Sequence, residues 1–148
     1  MTAPLALVTG GVKRVGAAIA ARLAKSGYAL ALHGNSDAIP EDALAGTLRE
    51  TDCDWHGFQK DFLKEGAAEA LMDQVVAHFG RVPDLLVNSA SIFGQDDVET
   101  LGEKDMADHF RINNQVPVLL ATALHRHHPA ASERACVVHI LDQRIRNP

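Results

Sequence analysis

Cysteine is nearly absent. Cys53 and Cys136 are the only two in 148 residues, and they lie far apart. That argues against a disulfide framework and predicts a cytosolic, disulfide-free protein with two buried thiols. No run of about 18 apolar residues occurs, so no membrane-spanning helix is expected. The opening Met1-Thr2-Ala3-Pro4 has no basic flank and no cleavage pattern, and reads as a mature start without a secretory signal. Positive charge is scarce too. Fourteen Lys and Arg against nineteen Asp and Glu give a net charge of -5 and a pI near 5.8. That balance disfavours a nucleic-acid or anionic-membrane partner, while leaving room for a local positive pocket. There is one tyrosine, Tyr28, and no lysine beyond Lys104. No repeat or low-complexity stretch is present.

What is there has the balance of one soluble domain, 47% hydrophobic and 22% charged. Short apolar runs alternate with segments of helical period. Strands are expected at 5–8, 28–33, 55–59, 85–88 and 136–141. The first helix is expected from Val15, with Val15, Ala18, Ile19 and Leu23 as its buried face, Arg22 at the edge of that face and Gly27 as its stop. Further helices are expected over 40–50, over 64–79 with Gly80 ending it, and over 106–125, where Pro117 is a potential bend. Strands alternating with helices imply βαβ units, a parallel sheet and a doubly wound α/β (Rossmann) fold over 1–148. Ligands of such sheets bind just beyond the strand C-termini. The chemistry-bearing residues should therefore follow the strands.

The first such place is Thr9-Gly10-Gly11-Val12-Lys13-Arg14-Val15-Gly16, which opens directly into the first helix. Glycines there let the backbone approach a pyrophosphate, and the free amides at the helix start hold the anion. A bare glycine pair can also be only a tight turn; the position between strand and helix favours the phosphate reading.

These residues resemble the Thr-Gly-x-x-x-Gly-x-Gly fingerprint of the short-chain dehydrogenase/reductase family. Arg14 stands at the middle glycine, a form similar to the pteridine reductase branch. Ser89-Ala90-Ser91-Ile92-Phe93 resembles that branch's Asn-Ala-Ser-x-Phe, and Asp142, where most members have their catalytic Ser, matches it as well. The resemblance covers essentially the whole chain. It implies a truncated Rossmann domain, since the family's Tyr-x-x-x-Lys is expected about a dozen residues past the fifth strand and the chain ends at Pro148.

The same resemblance assigns roles. Gly10, Lys13, Arg14, Val15 and Gly16 are expected to bind the cofactor phosphates. An NAD-preferring member usually has an acid at the end of the second strand. That slot falls near Gly34, and Asp37 comes slightly late. With Lys13 and Arg14 nearby, NADP(H) is the expected cofactor, and Asn35 and Ser36 are candidate donors to its 2′-phosphate, or else plain turn formers. Asp61 and Phe62 are expected at the adenine, though Asp61 also suits a helix N-cap. Asn88, Ser89 and Ala90 match the block at the nicotinamide end; Asn88 is expected to brace the central strands, and Ser89 departs from the family's second Asn. Arg14, Ser91 and Phe93 are candidate substrate contacts. Phe93 reads either as an aromatic wall for a flat ring or as loop-anchoring core. Asn113, four residues before Pro117, fits the family's proton-relay Asn, and Asp142 could relay a proton or orient the catalytic tyrosine. His125, His127 and His128 cluster near a helix end, where they suit the helix dipole better than a metal. Trp55 and Phe58 read as core.

The implied function is an NADPH-dependent reductase of a pterin-like small molecule, working in the cytoplasm as a homo-oligomer. The alternatives are a reductase of the same family acting on a ketone or acyl-thioester, and a dinucleotide-binding protein with no catalysis.

Overall fold

A computed structural model describes residues 2–93, 97–128 and 134–141. Its elements run β1 (Leu5–Thr9), α1 (Arg14–Lys25), β2 (Ala29–Gly34), α2 (Asp42–Glu50), β3 (Trp55–Gln59), α3 (Ala67–Phe79), β4 (Leu85–Asn88), α4 (Glu103–Phe110), a π-helical turn (Arg111–Gln115), α5 (Val116–His127) and β5 (Cys136–His139). All strand pairs are parallel, in the order β3-β2-β1-β4-β5. The expected doubly wound α/β sheet is therefore present.

Side chains alternate across β1, and this builds two cores. Leu5 and Leu7 face α3 and α5, where Leu71, Met72, Val75, Leu120 and Leu124 are buried. Ala6 and Val8 face α1 and α2, where Ala17, Ala20, Leu44 and Leu48 are buried. Both faces of β1 and β2 are thus covered, which is why these strands are apolar almost without interruption.

Helix α1 corrects the expected face. Gly16, Ala17, Ala20 and Ala24 are buried, whereas Val15 is 60% exposed, Ala18 is exposed, and Ile19 and Leu23 are only half-buried. Close approach decides this. A Cβ on Gly16 would lie 2.0 Å from the Gly10 carbonyl oxygen, so the helix meets the turn with its smallest side chains. The helix ends as expected: Gly27 takes φ +82° and Tyr28 N–H returns to the Leu23 carbonyl.

Two more elements differ from the sequence pattern. Helix α3 starts at Ala67, after Gly66 at φ +74°, because 61–64 forms a separate turn closed by Lys64 N–H on the Asp61 carbonyl. Pro117 does not divide the long helix. The π turn just before it widens the backbone, which suits a proline that lacks an N–H and crowds the carbonyl four residues back. Phe58 is core, as expected, but Trp55 is 37% exposed on the edge strand. Strand β5 pairs with β4, yet Val137 and Val138 remain 37% and 38% exposed. Cys136 on the same strand is exposed and Cys53 is half-buried, so the thiols are not the buried pair expected.

Candidate functional site

Strand order reverses between β1 and β4, and their C-terminal ends border a cleft of about 720 Å³. On one wall lie Gly10, Lys13, Arg14, Val15 and Gly16, with Asn35 beyond them. On the other lie Ser89, Ala90, Ser91 and Ile92, and His33, Glu41, Phe62, Leu63 and Ile112 complete the lining. Ten of these residues are among those expected from sequence to hold cofactor or substrate; His33, Glu41, Leu63, Ile92 and Ile112 are not.

The turn wall is locked from behind by His33, a residue the sequence reading passed over. Its Nδ1 accepts the Gly10 N–H at 3.1 Å, and its Nε2 donates to the Lys60 carbonyl at 2.9 Å. An amide on one nitrogen and a carbonyl on the other require the neutral Nε2–H tautomer. His33 is 2% exposed, and burial pushes its pKa down to about 4 against the opposing pull of the Lys60 carbonyl. Its own carbonyl takes the Gly11 N–H, and Phe62 stacks on the ring with centroids 4.1 Å apart. The Gly10 and Gly11 amides are therefore spent on the fold. In the first turn of α1 the Ala17 N–H already reaches the Lys13 carbonyl at 3.2 Å, and the amides before it have no helical carbonyl four residues back.

Arg14 is the first residue of α1 and takes φ +54°. Glycine adopts that region freely and other residues rarely do. The substitution is held by Glu41, whose Oε2 accepts the Arg14 N–H at 3.1 Å. Lys13 meets Asp37 at 3.4 Å. The Ile39 amide and Lys13 together hold the exposed Asp37 carboxyl below its usual range. Gly34 ends β2, and a Cβ there would lie 1.8 Å from the Asp37 carbonyl oxygen. No acid can stand at that position with this loop. Asp37 itself lies beyond the strand.

Thr9 ties the two walls together. Its Oγ1 accepts the amides of Ser89 and Ala90 at 3.1 and 3.0 Å. Asn88 is buried, and its Nδ2 lies 3.3 Å from His139 Nδ1 across β4 and β5; among the described residues its Oδ1 has no partner.

Some expected residues stand apart from the lining. Ser36 is exposed next to Asn35. Asp61 precedes the lining residues Phe62 and Leu63, and accepts the Leu63 N–H at 3.0 Å, closing a turn rather than capping α3, whose N-cap is Gly66. Phe93 follows Ile92 at the rim and is 65% exposed, so it is not loop-anchoring core. Asn113 grips the wall from outside, its Oδ1 on Ile92 N–H at 3.1 Å and its Nδ2 on the Ile92 carbonyl at 3.2 Å. Arg111 of the same π turn donates to the carbonyls of Phe62 and Lys64 at 2.8 and 2.7 Å. Asp142 lies outside the described residues. His127 pairs with Asp73 at 2.7 Å.

Besides Arg111, sequence reasoning assigned no role to Thr9, His33 or Glu41. For His33 a signal existed: a polar residue inside an apolar strand needs partners. Glu41 and Arg111 act only through distant contacts and carried no local signal.

Parallel strands, a topological switch and a glycine turn opening into a helix define a Rossmann-type domain. The family profile described as short chain dehydrogenase matches residues 4–141, and the chain belongs to that family. It is 34% identical over 120 residues to D-threitol dehydrogenase of Mycolicibacterium smegmatis, a match covering 81% of this chain and 45% of that protein. It is 34% identical over 110 residues to pteridine reductase 1 of Leishmania tarentolae, covering 62% of this chain and 38% of that protein. Among solved structures, FolM alternative dihydrofolate reductase 1 of Brucella canis, complexed with NADP, superposes with a TM-score of 0.81 at 30% identity, covering 96% of this chain and 57% of that one. The chain spans about half the length of the curated relatives it matches. No helix among the described residues is long and apolar enough to cross a membrane.

Proposed function

We propose that the cleft binds NADP(H), and that the protein carrying this chain reduces a pterin or dihydropteridine-like ring by hydride transfer. One observation carries the cofactor reading. The turn 10–16 brings the start of α1 to the cleft beside Lys13 and Arg14, while Gly34 leaves no room for the acid that would favour NADH. The NADP held by the FolM structure supports the same choice.

In this reading the amides of Val15 and Gly16, with Lys13 and Arg14, hold the phosphates. Asn35 and Ser36 receive the 2′-phosphate, and Asp61 and Phe62 receive the adenine. Asn88, Ser89 and Ala90 shape the nicotinamide end. When bound, the cofactor supplies the hydride. Ser91, Phe93 and Arg14 orient the substrate, and Asn113 and Asp142 serve the proton. The substrate is a small molecule, and the working enzyme is a cytoplasmic homo-oligomer.

The likeness to pteridine reductase 1 and to FolM supports the pterin. The match to D-threitol dehydrogenase covers more of this chain, and it favours a second reading in which the substrate carries a simple carbonyl or hydroxyl. Titrating this chain with NADPH and NADH tests the cofactor, with tighter NADPH binding expected; equal affinity overturns the preference. For the substrate, NADPH oxidation by the gene product that carries this chain is compared with a dihydropterin and with a β-ketoacyl thioester. Turnover of the thioester alone ends the pterin assignment.

A further inference from the structure

Glu41 is the N-cap of α2, yet its carboxylate makes no bond to its own helix. It crosses to a different helix start and takes the Arg14 N–H of α1 at 3.1 Å. Its backbone is fixed for that reach, because Glu41 N–H donates to the Val12 carbonyl at 2.9 Å and its carbonyl accepts from Ala45 at 2.9 Å. It is the one acid among the described residues lining the cleft, against Lys13 and Arg14. The side chains that cap their own helix are chiefly those of Ser, Thr, Asp and Asn, and the longer glutamate reaches past its own helix start. Here it has the position and the charge of a ligand for the phosphate turn.

We propose that Glu41 is a displaceable internal anion of the cleft. It holds the outward Arg14 amide in its left-handed conformation and gives that amide up when a nucleotide phosphate arrives. The inference rests on the cofactor reading above. Glu41 is exposed, so its carboxylate can swing into water at small cost once displaced. While it stays near, its negative charge opposes the incoming phosphates. The chain thus keeps its phosphate turn ordered without cofactor, and gives up some affinity in return.

The test is calorimetric titration of this chain and of Glu41→Gln with NADPH, 5′-ADP and adenosine. Removing one unit of repulsion a few ångströms from a phosphate should tighten NADPH and 5′-ADP by about fivefold at low salt, with the gain shrinking as salt rises. Adenosine affinity should not change. Glu41→Ala, which also removes the acceptor, should speed hydrogen exchange at the Arg14 amide when no nucleotide is added. Wild-type binding with no gain in Glu41→Gln overturns the role of Glu41 alone. Equal weakening of adenosine and 5′-ADP also overturns it, and makes Glu41 a ribose ligand instead. If neither chain binds NADPH, the cofactor reading itself falls, and this inference with it.

Discussion

The two walls of the cleft are built by different means. The wall at 10–16 is fixed from inside the protein: a buried neutral imidazole takes one amide, its carbonyl takes the next, and Gly16 fits against Gly10 with no space for a methyl group. The wall at 89–93 is fixed from its ends. Thr9 holds its first amides, Asn113 holds Ile92, and the side chains of Ser91 and Phe93 stay exposed. A wall made of buried backbone tolerates little change, whereas one pinned at two points can vary in its exposed side chains. That division suits a site whose cofactor end is constant and whose substrate end is adapted.

The largest effect should come from Gly16→Ala. The new methyl would have to displace the Gly10 backbone, and overpacking of this kind costs about 3 kcal/mol or more. Urea unfolding should show it, together with loss of NADPH binding; a cost below about 1 kcal/mol would mean the turn wall is softer than it looks.

His33 comes next. Its folded pKa lies below that of an unfolded histidine, so the unfolded chain binds the extra proton between about pH 6.5 and 4. The His33 contribution is then fully present above pH 6.5 and fades as pH falls through that window, by on the order of 3 kcal/mol at the acid end. Urea midpoints measured from pH 7 to 4 should decline in the wild type and decline less in His33→Gln. Parallel curves would remove His33 from its place behind the turn.

A smaller loss, about 1 kcal/mol, is expected for Asn113→Ala, which breaks two hydrogen bonds on the partly exposed wall. Hydrogen exchange should quicken at Ile92 but not at Gly10. Faster exchange at both would show that the walls are coupled. Smallest is Arg14→Gly, which relieves the positive φ and should shift thermal stability upward by about 0.5–1 kcal/mol. A loss there would mean that the arginine side chain secures the turn more than its backbone strains it.

The order of elements was legible because each strand is a short apolar run and each helix has its own period; the ends of β3 and β4 fall where the pattern puts them. The buried face of α1 was not. Periodicity weights large apolar residues such as Val15 and Ile19, but close backbone contact selected Gly16, Ala17 and Ala20. At the site, the residues next to strand ends could be named in advance, since position along the chain fixes which strand end they follow. Their supports could not. His33, Glu41 and Arg111 act across 23, 27 and 47–49 residues of sequence, and nothing beside them in the chain marks the partner.

The π turn at 111–115 carries one more consequence. Arg111 and Asn113, two residues apart, reach loops that follow different strands. Excising one residue from this stretch would restore ordinary winding and rotate one grip relative to the other by about 100°. The loops after β3 and β4 would then slacken together. Deletion scanning along 103–127 should find its least tolerant point here, at an irregularity that local helix energetics alone would count as a flaw.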